Sequence, residues 1–201
     1  MSSRMRIGIT HGDINSISYE VIMKALLDPR ILEDCTPILY GSSKVAAYHR
    51  KTLNINNLSF NAIRTADEAS PRKANLINCI NDEVRVELGK STPQAGEAAF
   101  LALKKAVEDL KAGKIDALVT GPINKHNIQS EQFSFPGHTE YLAREFGAED
   151  VLMFMVGETM RVGVVTGHVP LAEVAQLITT DKILQKIHLM NQSLREDFAI
   201  P

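Results

Sequence analysis

The chain has 201 residues and a formal net charge of -2, with 44% hydrophobic and 23% charged residues. This balance is typical of a globular protein with a sizeable core, and the sequence has no basic block that would indicate nucleic-acid binding. The sequence has no apolar run near the ~20 residues that span a membrane, and it begins without the apolar stretch of a signal peptide. Cys35 and Cys79 are too few for a disulfide framework, which favours buried free thiols and a cytoplasmic location.

The first half of the chain alternates strand-like and helix-like segments. The predicted strands cover residues 6–10, 37–40, 58–63 and 75–80, and the predicted helices cover 19–27, 44–53 and a long segment that Pro93 opens. Asp28-Pro29 is expected to close the first helix, and Ser42 or Ser43 to cap the second. Apolar residues recur every three or four positions in the long helix, and Gly113 is predicted to end it.

The second half continues the alternation. Strands are predicted over 115–119, 151–156 and 161–166, followed by helices over 171–178 and 181–198. The apolar run over 115–119 is typical of a strand buried on both faces. The sequence therefore predicts an α/β fold class, with a largely parallel sheet sandwiched by helices and right-handed crossovers.

Four polar segments interrupt this alternation of strands and helices. THGD (10–13), TGPINK (120–125) and TGHVP (166–170) each follow a predicted strand, and FPGHTE (135–140) leads into a helix. Ligands of open α/β sheets gather outside the carboxyl ends of the strands. Each segment taken singly is also explained as a turn or a helix cap, with Asp13 or Asn15, Asn124 and Thr139 as the capping residues. Four such segments together favour a site.

The residue types define the chemistry that such a site could perform. His138 and Thr139 at a helix N-terminus can donate hydrogen bonds to an anion, and Lys125 can add a positive charge. His168 can offer a ring nitrogen to a divalent metal, although zinc requires three or four protein ligands. The sequence contains no G-x-G-x-x-G after the first strand, no Walker A motif and no G-x-S-x-G elbow. A standard dinucleotide fingerprint is therefore not expected.

These segments, in this order and spacing, resemble the 4-hydroxythreonine-4-phosphate dehydrogenase family of vitamin B6 synthesis. The resemblance runs over residues 6–201 and is most specific in PGHTE and TGHVPL. It implies an isocitrate/isopropylmalate-dehydrogenase-like fold and an NAD-dependent oxidation of 4-phosphooxy-L-threonine, with loss of carbon dioxide from the product. It also implies a divalent metal (zinc, with magnesium or cobalt as substitutes) acting as a Lewis acid, and a homodimer.

The resemblance also implies roles for individual residues. His138 and Thr139 match the substrate-binding pair, and His168 matches the first metal-ligand histidine. Lys125 and Asp13 match positions that border the site and are the catalytic candidates. We expect the rings of His138 and His168 to face a common cleft.

Two features depart from the family pattern. Ser16 and Ser18 stand in the first loop where family members commonly carry glycine, so the substrate preference could differ. Residues 1–201 match only the amino-terminal portion of a two-lobed α/β dehydrogenase, so the fold is expected to be incomplete and this chain alone inactive. The boundary between the lobes is not located by the sequence.

Three other functions stay open at this point. One is a related dehydrogenase of threonate or erythronate phosphate, and another is a phosphate acyltransferase-like enzyme. The third is a non-catalytic fragment that binds phosphate compounds. The expected partner is a small phosphorylated hydroxy amino acid rather than nucleic acid or a membrane.

Overall fold

The computed structural model describes residues 4–81 and 83–200. The chain divides into two compact units, Met1–Phe146 and Gly147–Pro201. In the residues described, no helix combines the length and apolar character needed to cross a membrane.

A five-stranded parallel sheet forms the centre of the first unit. Its strands are β1 (Arg6–Thr10), β2 (Thr36–Gly41), β3 (Phe60–Ile63), β4 (Ala74–Asn78) and β5 (Ala117–Thr120), in the spatial order β3-β4-β2-β1-β5. The helices of this unit are α1 (Ser18–Leu26), α2 (Pro29–Asp34), α3 (Ser43–Thr52), α4 (Pro93–Lys111) and α5 (His138–Glu145). The predicted α/β class with a parallel sheet is confirmed.

Side-chain alternation along the strands divides the core between two faces of the sheet. Leu39 and Leu76 pack with α1 and α3 on one face, whereas Ile38, Tyr40 and Ile77 pack with α4 on the other. Successive strand residues point to opposite faces, so fully buried strands such as β2 require apolar residues at adjacent positions. Helices on both faces thus enclose the middle of the sheet.

Several local predictions are confirmed and others are wrong. Ser42 caps α3 by accepting hydrogen bonds from the backbone N–H groups of Lys44 and Val45, and α4 begins at Pro93 and is followed by Gly113 at φ 67°. Asp28-Pro29 does not simply close α1. It also starts α2, because Asp28 accepts a hydrogen bond from the N–H of Arg30 and proline suits the first helical position.

The strand predicted over 115–119 is not buried on both faces. Within the described residues β5 lies at the edge of the sheet and pairs with β1, and Val119 is 53% exposed. Ile115, which is buried, precedes the strand. The apolar run over 115–119 therefore consists of one buried residue, Ile115, and a half-covered edge strand. It is not a central strand.

The second unit contains a hairpin and two helices. β6 (Phe154–Val156) and β7 (Arg161–Gly163) pair in antiparallel fashion, and α6 (Leu171–Leu177) and α7 (Thr180–Glu196) follow. From the sequence, both strands were expected to be longer and to fit a largely parallel sheet. Only four residues separate them, and parallel neighbours need a crossover of about a dozen residues or more, so the hairpin is the geometry available.

Both cysteines are free, as predicted, and they are partly rather than completely buried. Burial raises the pKa of Cys79 to about 12, which keeps this thiol protonated and unreactive at neutral pH.

Candidate functional site

The carboxyl ends of β1 and β5 bring two of the predicted polar segments together. β1 pairs in parallel with β5, and Thr10 is aligned with Thr120. The segments THGD and TGPINK therefore leave the sheet side by side. The N–H of Asp13 donates to the carbonyl of Pro122 at 2.9 Å, which joins the two loops directly.

Asp13 is almost fully buried in the first loop, with 6% of its surface exposed. Its Oδ1 accepts a hydrogen bond from the N–H of Asn15 at 2.9 Å, a turn that Asp and Asn commonly form. Neither residue caps α1, because the N-cap position falls on Ile17 and has no side-chain hydrogen bond. The capping prediction was wrong, since the loop is long enough to use these side chains for contacts with other loops.

Asn15 organises the adjacent segment 87–92. Its Oδ1 accepts from the N–H of Glu87, and its Nδ2 donates to the carbonyl of Lys90 and the hydroxyl of Thr92. Thr92 in turn caps α4 by accepting from the N–H of Ala95. From the sequence, Asn15 was predicted only as a possible cap. An asparagine side chain carries both an accepting oxygen and a donating nitrogen, and this pairing was the signal that Asn15 could bridge two segments when buried.

A cleft of about 520 Å³ lies between the first loop and segment 87–92. Asp13, Ser16, Lys90, Ser91 and Asn124 contribute polar groups to its lining. Asn124 precedes Lys125 in the second loop, and its Oδ1 accepts hydrogen bonds from the N–H groups of residues 126 and 127. The predicted capping role of Asn124 thus applies to a turn rather than to a regular helix.

Lys125 and His138 come together at the N-terminus of α5. A Cβ built on Gly137 would lie 3.7 Å from Nζ of Lys125, so the ammonium group stands over the start of this helix. His138 and Thr139 are the first two residues of α5, and Gly137 at the N-cap position provides no side-chain cap. The predicted capping role of Thr139 was therefore wrong. The N–H groups at the start of this helix and the helix dipole favour an anion, and the carboxylate of Glu140 also lies here, with Oε2 3.6 Å from a Cβ built on Gly137.

The ring of His138 is half-buried, and its Nε2 has no hydrogen-bond partner among residues 4–81 and 83–200. Burial and, secondarily, the positive charge of Lys125 hold the pKa of His138 below its ordinary value. The imidazole is therefore neutral at physiological pH, and one ring nitrogen can donate while the other accepts. Lys125, His138 and the helix N-terminus form one cationic and hydrogen-bonding surface, which we call the anion cradle.

An aromatic cluster fixes the position of the anion cradle. Phe133 is fully buried, and its ring centroid lies 5.8 Å from Phe100 of α4 and 5.3 Å from Tyr141 of α5. Phe135 packs against Tyr141 at 5.6 Å and also receives the guanidinium of Arg144 over its ring at 4.3 Å. These contacts attach α5 to the long helix α4. The cluster was not predicted from the sequence, although three aromatic residues within nine positions were visible in FSFPGHTEY.

A second group of rings lies beneath the first loop. Tyr19 stacks between His11 and His49, with ring centroids 5.5 Å and 4.9 Å away. His49 places Nε2 2.8 Å from the carbonyl of Ile14, whereas the ring of His11 makes no hydrogen bond of regular geometry among the residues described and has only weaker backbone contacts, with Ala98 and Gly12. Burial lowers the pKa of His11 to about 4. His11, the first polar residue after β1, is therefore a neutral core side chain.

His168 belongs to the second unit and is exposed in the loop that precedes α6. β7 ends at Gly163, so His168 does not directly follow a strand as its sequence pattern predicted. The N–H of Val169 donates to the carbonyl of Gly167, which makes a tight turn at the histidine. The expectation that His138 and His168 face one cleft stays a prediction.

A metal site requires several ligands close together. Nowhere in the described parts of the chain do three His, Cys, Asp or Glu side chains gather so that they could hold a metal ion. His168 alone does not satisfy the three or four protein ligands of a zinc site.

Comparison with known proteins identified close relatives of this chain. Residues 33–201 match the family model described as "Pyridoxal phosphate biosynthetic protein PdxA". A protein of Bacteroides thetaiotaomicron named 4-hydroxythreonine-4-phosphate dehydrogenase is 49% identical over 98% of this chain and 54% of its own length. A Clostridium botulinum protein named "Putative D-threonate 4-phosphate dehydrogenase" is 35% identical over 94% of this chain and 58% of its own length.

Solved structures agree with these matches. The 4-hydroxythreonine-4-phosphate dehydrogenase of Burkholderia phymatum is 30% identical, with a TM-score of 0.82 over 94% of this chain and 58% of its own. The corresponding enzyme of Klebsiella pneumoniae is 25% identical, with a TM-score of 0.86 over 96% of this chain and 59% of its own. This chain thus spans a little more than half the length of the relatives that it matches.

Proposed function

Since this chain belongs to the family of pyridoxal phosphate biosynthetic proteins PdxA, we propose that it forms the substrate-binding portion of a 4-hydroxythreonine-4-phosphate dehydrogenase. The proposed reaction is the NAD-dependent oxidation of 4-phosphooxy-L-threonine followed by decarboxylation. The relative with 49% identity carries the name of this activity. The proposal includes a homodimer, a cytoplasmic location, and no activity of residues 1–201 by themselves.

The observation that carries the proposal is the anion cradle. An ammonium group, a neutral imidazole and an uncapped helix N-terminus meet at one point of the first unit. Each of these groups favours a phosphate or a carboxylate, and 4-phosphooxy-L-threonine carries both. The neutral state of His138 suits hydrogen bonding to substrate, because a neutral ring can donate to an anion from one nitrogen and accept from a hydroxyl with the other.

The catalytic candidates occupy the two loops that the sheet brings together. We assign Lys125 the role of stabilising negative charge that develops on the substrate, because a positive charge aimed at such an oxygen lowers the barrier. Asp13, buried at the cleft next to Asn124, is the acidic group that borders the reacting region. Thr139 is proposed to add its exposed hydroxyl to substrate binding.

The proposed activity includes a divalent metal and NAD. His168 is the candidate that this chain offers to a metal, and the described residues do not complete the ligand set. A set of ligands shared with other parts of a longer enzyme or with a partner subunit would account for this. The binding and charge-stabilising roles above depend on residues of this chain alone.

A second substrate is favoured by a specific observation. Relatives at 35% identity carry the D-threonate 4-phosphate name, and Ser16 and Ser18 stand where glycines are usual in the first loop. D-threonate 4-phosphate shares the phosphate and the carboxylate but has a hydroxyl where 4-phosphooxy-L-threonine has an ammonium group. The anion cradle accommodates either molecule, so direct competition between the two substrates decides the preference.

The test uses a chimera in which residues 6–201 replace the matching segment of the Bacteroides thetaiotaomicron relative. We expect NADH formation from 4-phosphooxy-L-threonine in the presence of zinc, and a kcat/KM for D-threonate 4-phosphate that is lower by about tenfold or more, which corresponds to the cost of leaving one polar group unpaired. His138→Ala is expected to raise KM about 10- to 100-fold, the value of a lost hydrogen bond to a charged group. His188→Ala, an exposed histidine of α7, is the matched control.

Three results would redirect the proposal. Preference for D-threonate 4-phosphate would establish the second substrate. Acyl transfer that survives His168→Ala would indicate the acyltransferase-like enzyme, whereas a dehydrogenase should lose activity with that change. A folded chimera that binds inorganic phosphate by calorimetry, yet oxidises none of these substrates, would leave only a phosphate-binding role.

A further inference from the structure

Ser18 connects the first loop to the loop that carries Lys125. Its side chain is fully buried at the start of α1, and its Oγ donates to the carbonyl of Pro122 at 2.9 Å. Pro122 lies three residues before Lys125.

The contact between the two loops is dense. The carbonyl of Pro122 accepts a second hydrogen bond, from the N–H of Asp13, so both of its donors belong to the first loop or to its junction with α1. Gly12 has φ 68°, and a Cβ at this position would overlap the Pro122 carbonyl and lie 2.6 Å from Oγ of Ser18. The first loop and the Pro122 carbonyl are therefore in close backbone contact, while the proline residue as a whole is exposed.

The position of Pro122 determines that of Lys125 through the short segment that joins them. Proline restricts the backbone at one end. At the other end, Oδ1 of Asn124 accepts hydrogen bonds from the N–H groups of His126 and Asn127. Lys125 lies inside the turn that these bonds close. A displacement of Pro122 would therefore move the backbone of Lys125, because the connection is short and held at both ends.

We infer that Ser18 is a positioning residue, which holds Lys125 beside His138 at the N-terminus of α5 through the carbonyl of Pro122. The biological importance of this position rests on the proposed function of the anion cradle. The position of Lys125 itself does not depend on the proposed function, because it is a property of the folded chain.

Ser16 offers a matched control two residues away. Its Oγ donates to the carbonyl of Asp13 at 3.0 Å, so its hydrogen bond stays within the first loop. Removing the Ser18 hydroxyl loses its one hydrogen bond to Pro122, whereas removing the Ser16 hydroxyl loses the bond to Asp13 and a longer one, of 3.4 Å, accepted from the N–H of Ser18. Only the loss at Ser18 releases the loop of Lys125.

The experiment measures the titration of His138 by proton NMR in the 201-residue chain, with its signal assigned by its absence in His138→Gln. Lys125→Met sets the upper limit, because removing the positive charge should raise the pKa of His138. Ser18→Ala should raise it in the same direction by about 0.3 pH units or more. Ser16→Ala should change it by less than a third of that amount. In the double variant Ser18→Ala/Lys125→Met, the serine change should add nothing, since its effect requires the ammonium group.

Two results would overturn the inference. One is an unchanged pKa of His138 in Ser18→Ala, even with a lowered midpoint of unfolding, which would make the hydroxyl a purely structural group. The other is an equal shift in Ser16→Ala and Ser18→Ala, which would indicate general loosening of the loop. Ser18→Gly gives a second test if Ser18→Ala does not fold. A chimera without dehydrogenase activity would refute the proposed function and leave the NMR result intact.

Discussion

Gly96 allows the turn of Lys125 to lie directly on helix α4. It is buried within this helix, and a Cβ at this position would overlap the backbone carbonyl of Asn127 and lie 2.9 Å from the backbone nitrogen of Ile128. Both obstacles are backbone atoms, which cannot move away as a flexible side chain can. Two effects of known size and opposite sign therefore determine how Gly96→Ala changes the free energy of unfolding.

Helix propensity alone would make Gly96→Ala stabilising by about 1 kcal/mol. Overpacking against a fixed neighbour costs about 1–3 kcal/mol, and contact with backbone places this case at the upper end of that range. We expect a net loss of about 2 kcal/mol from the free energy of unfolding, the difference between the two effects. The turn that carries Lys125 should be displaced as well.

The assay is urea unfolding followed by tyrosine fluorescence. The chain has no tryptophan and four tyrosines, Tyr19, Tyr40, Tyr48 and Tyr141, which all belong to the first unit. The signal thus reports the unit that contains Gly96. Glu97→Ala and Glu97→Gly, compared with each other, measure helix propensity at the adjacent exposed position. A Gly96→Ala chain as stable as the original or more so, with an unchanged m-value, would refute the packing argument.

Three further predictions concern other parts of the first unit. Phe133→Ala should lower the free energy of unfolding by about 3–5 kcal/mol, measured by the same urea assay, because it empties the centre of the aromatic cluster. The free energy of unfolding should fall by about 3 kcal/mol between pH 6.5 and 4, because protonation of His11 is resisted only in the folded state. His11→Phe should abolish that part of the pH dependence, and an unchanged slope would contradict the assignment. Asn15→Ala should speed hydrogen exchange at the N–H of Glu87, at a cost of about 1 kcal/mol.

The cause of the His11 prediction fixes its sign. Burial lowers the pKa of His11, so the neutral ring is favoured in the folded chain and the unfolded chain binds the proton more readily. The neutral His11 ring contributes its full share to the free energy of unfolding above the pKa that the histidine has in the unfolded chain. This contribution is lost as the pH falls toward the pKa of His11 in the folded chain. His49 lies on the other side of Tyr19, and burial lowers its pKa as well, so the His11 variant is compared with the original chain under identical conditions.

Local sequence was sufficient to predict the regular elements and the composition of the anion cradle. The apolar spacing of α4, the serine cap of α3 and the proline and glycine at helix boundaries act through neighbouring residues, so they can be read along the chain. The segment PGHTE likewise indicated a helix N-terminus with His138 and Thr139 in its first turn. Lys125 could be proposed as a cation, but its distance from His138 could not.

Only the tertiary structure decided which segments meet. In the described part of the chain β5 pairs with β1 and lies at the sheet edge, a position that its own sequence does not specify. Asn15, Ser18 and Gly96 owe their roles to partners 72 to 104 residues away or to a turn from a distant segment. Such contacts depend on how strands and helices pack in three dimensions, so residue type and spacing along the chain do not specify them.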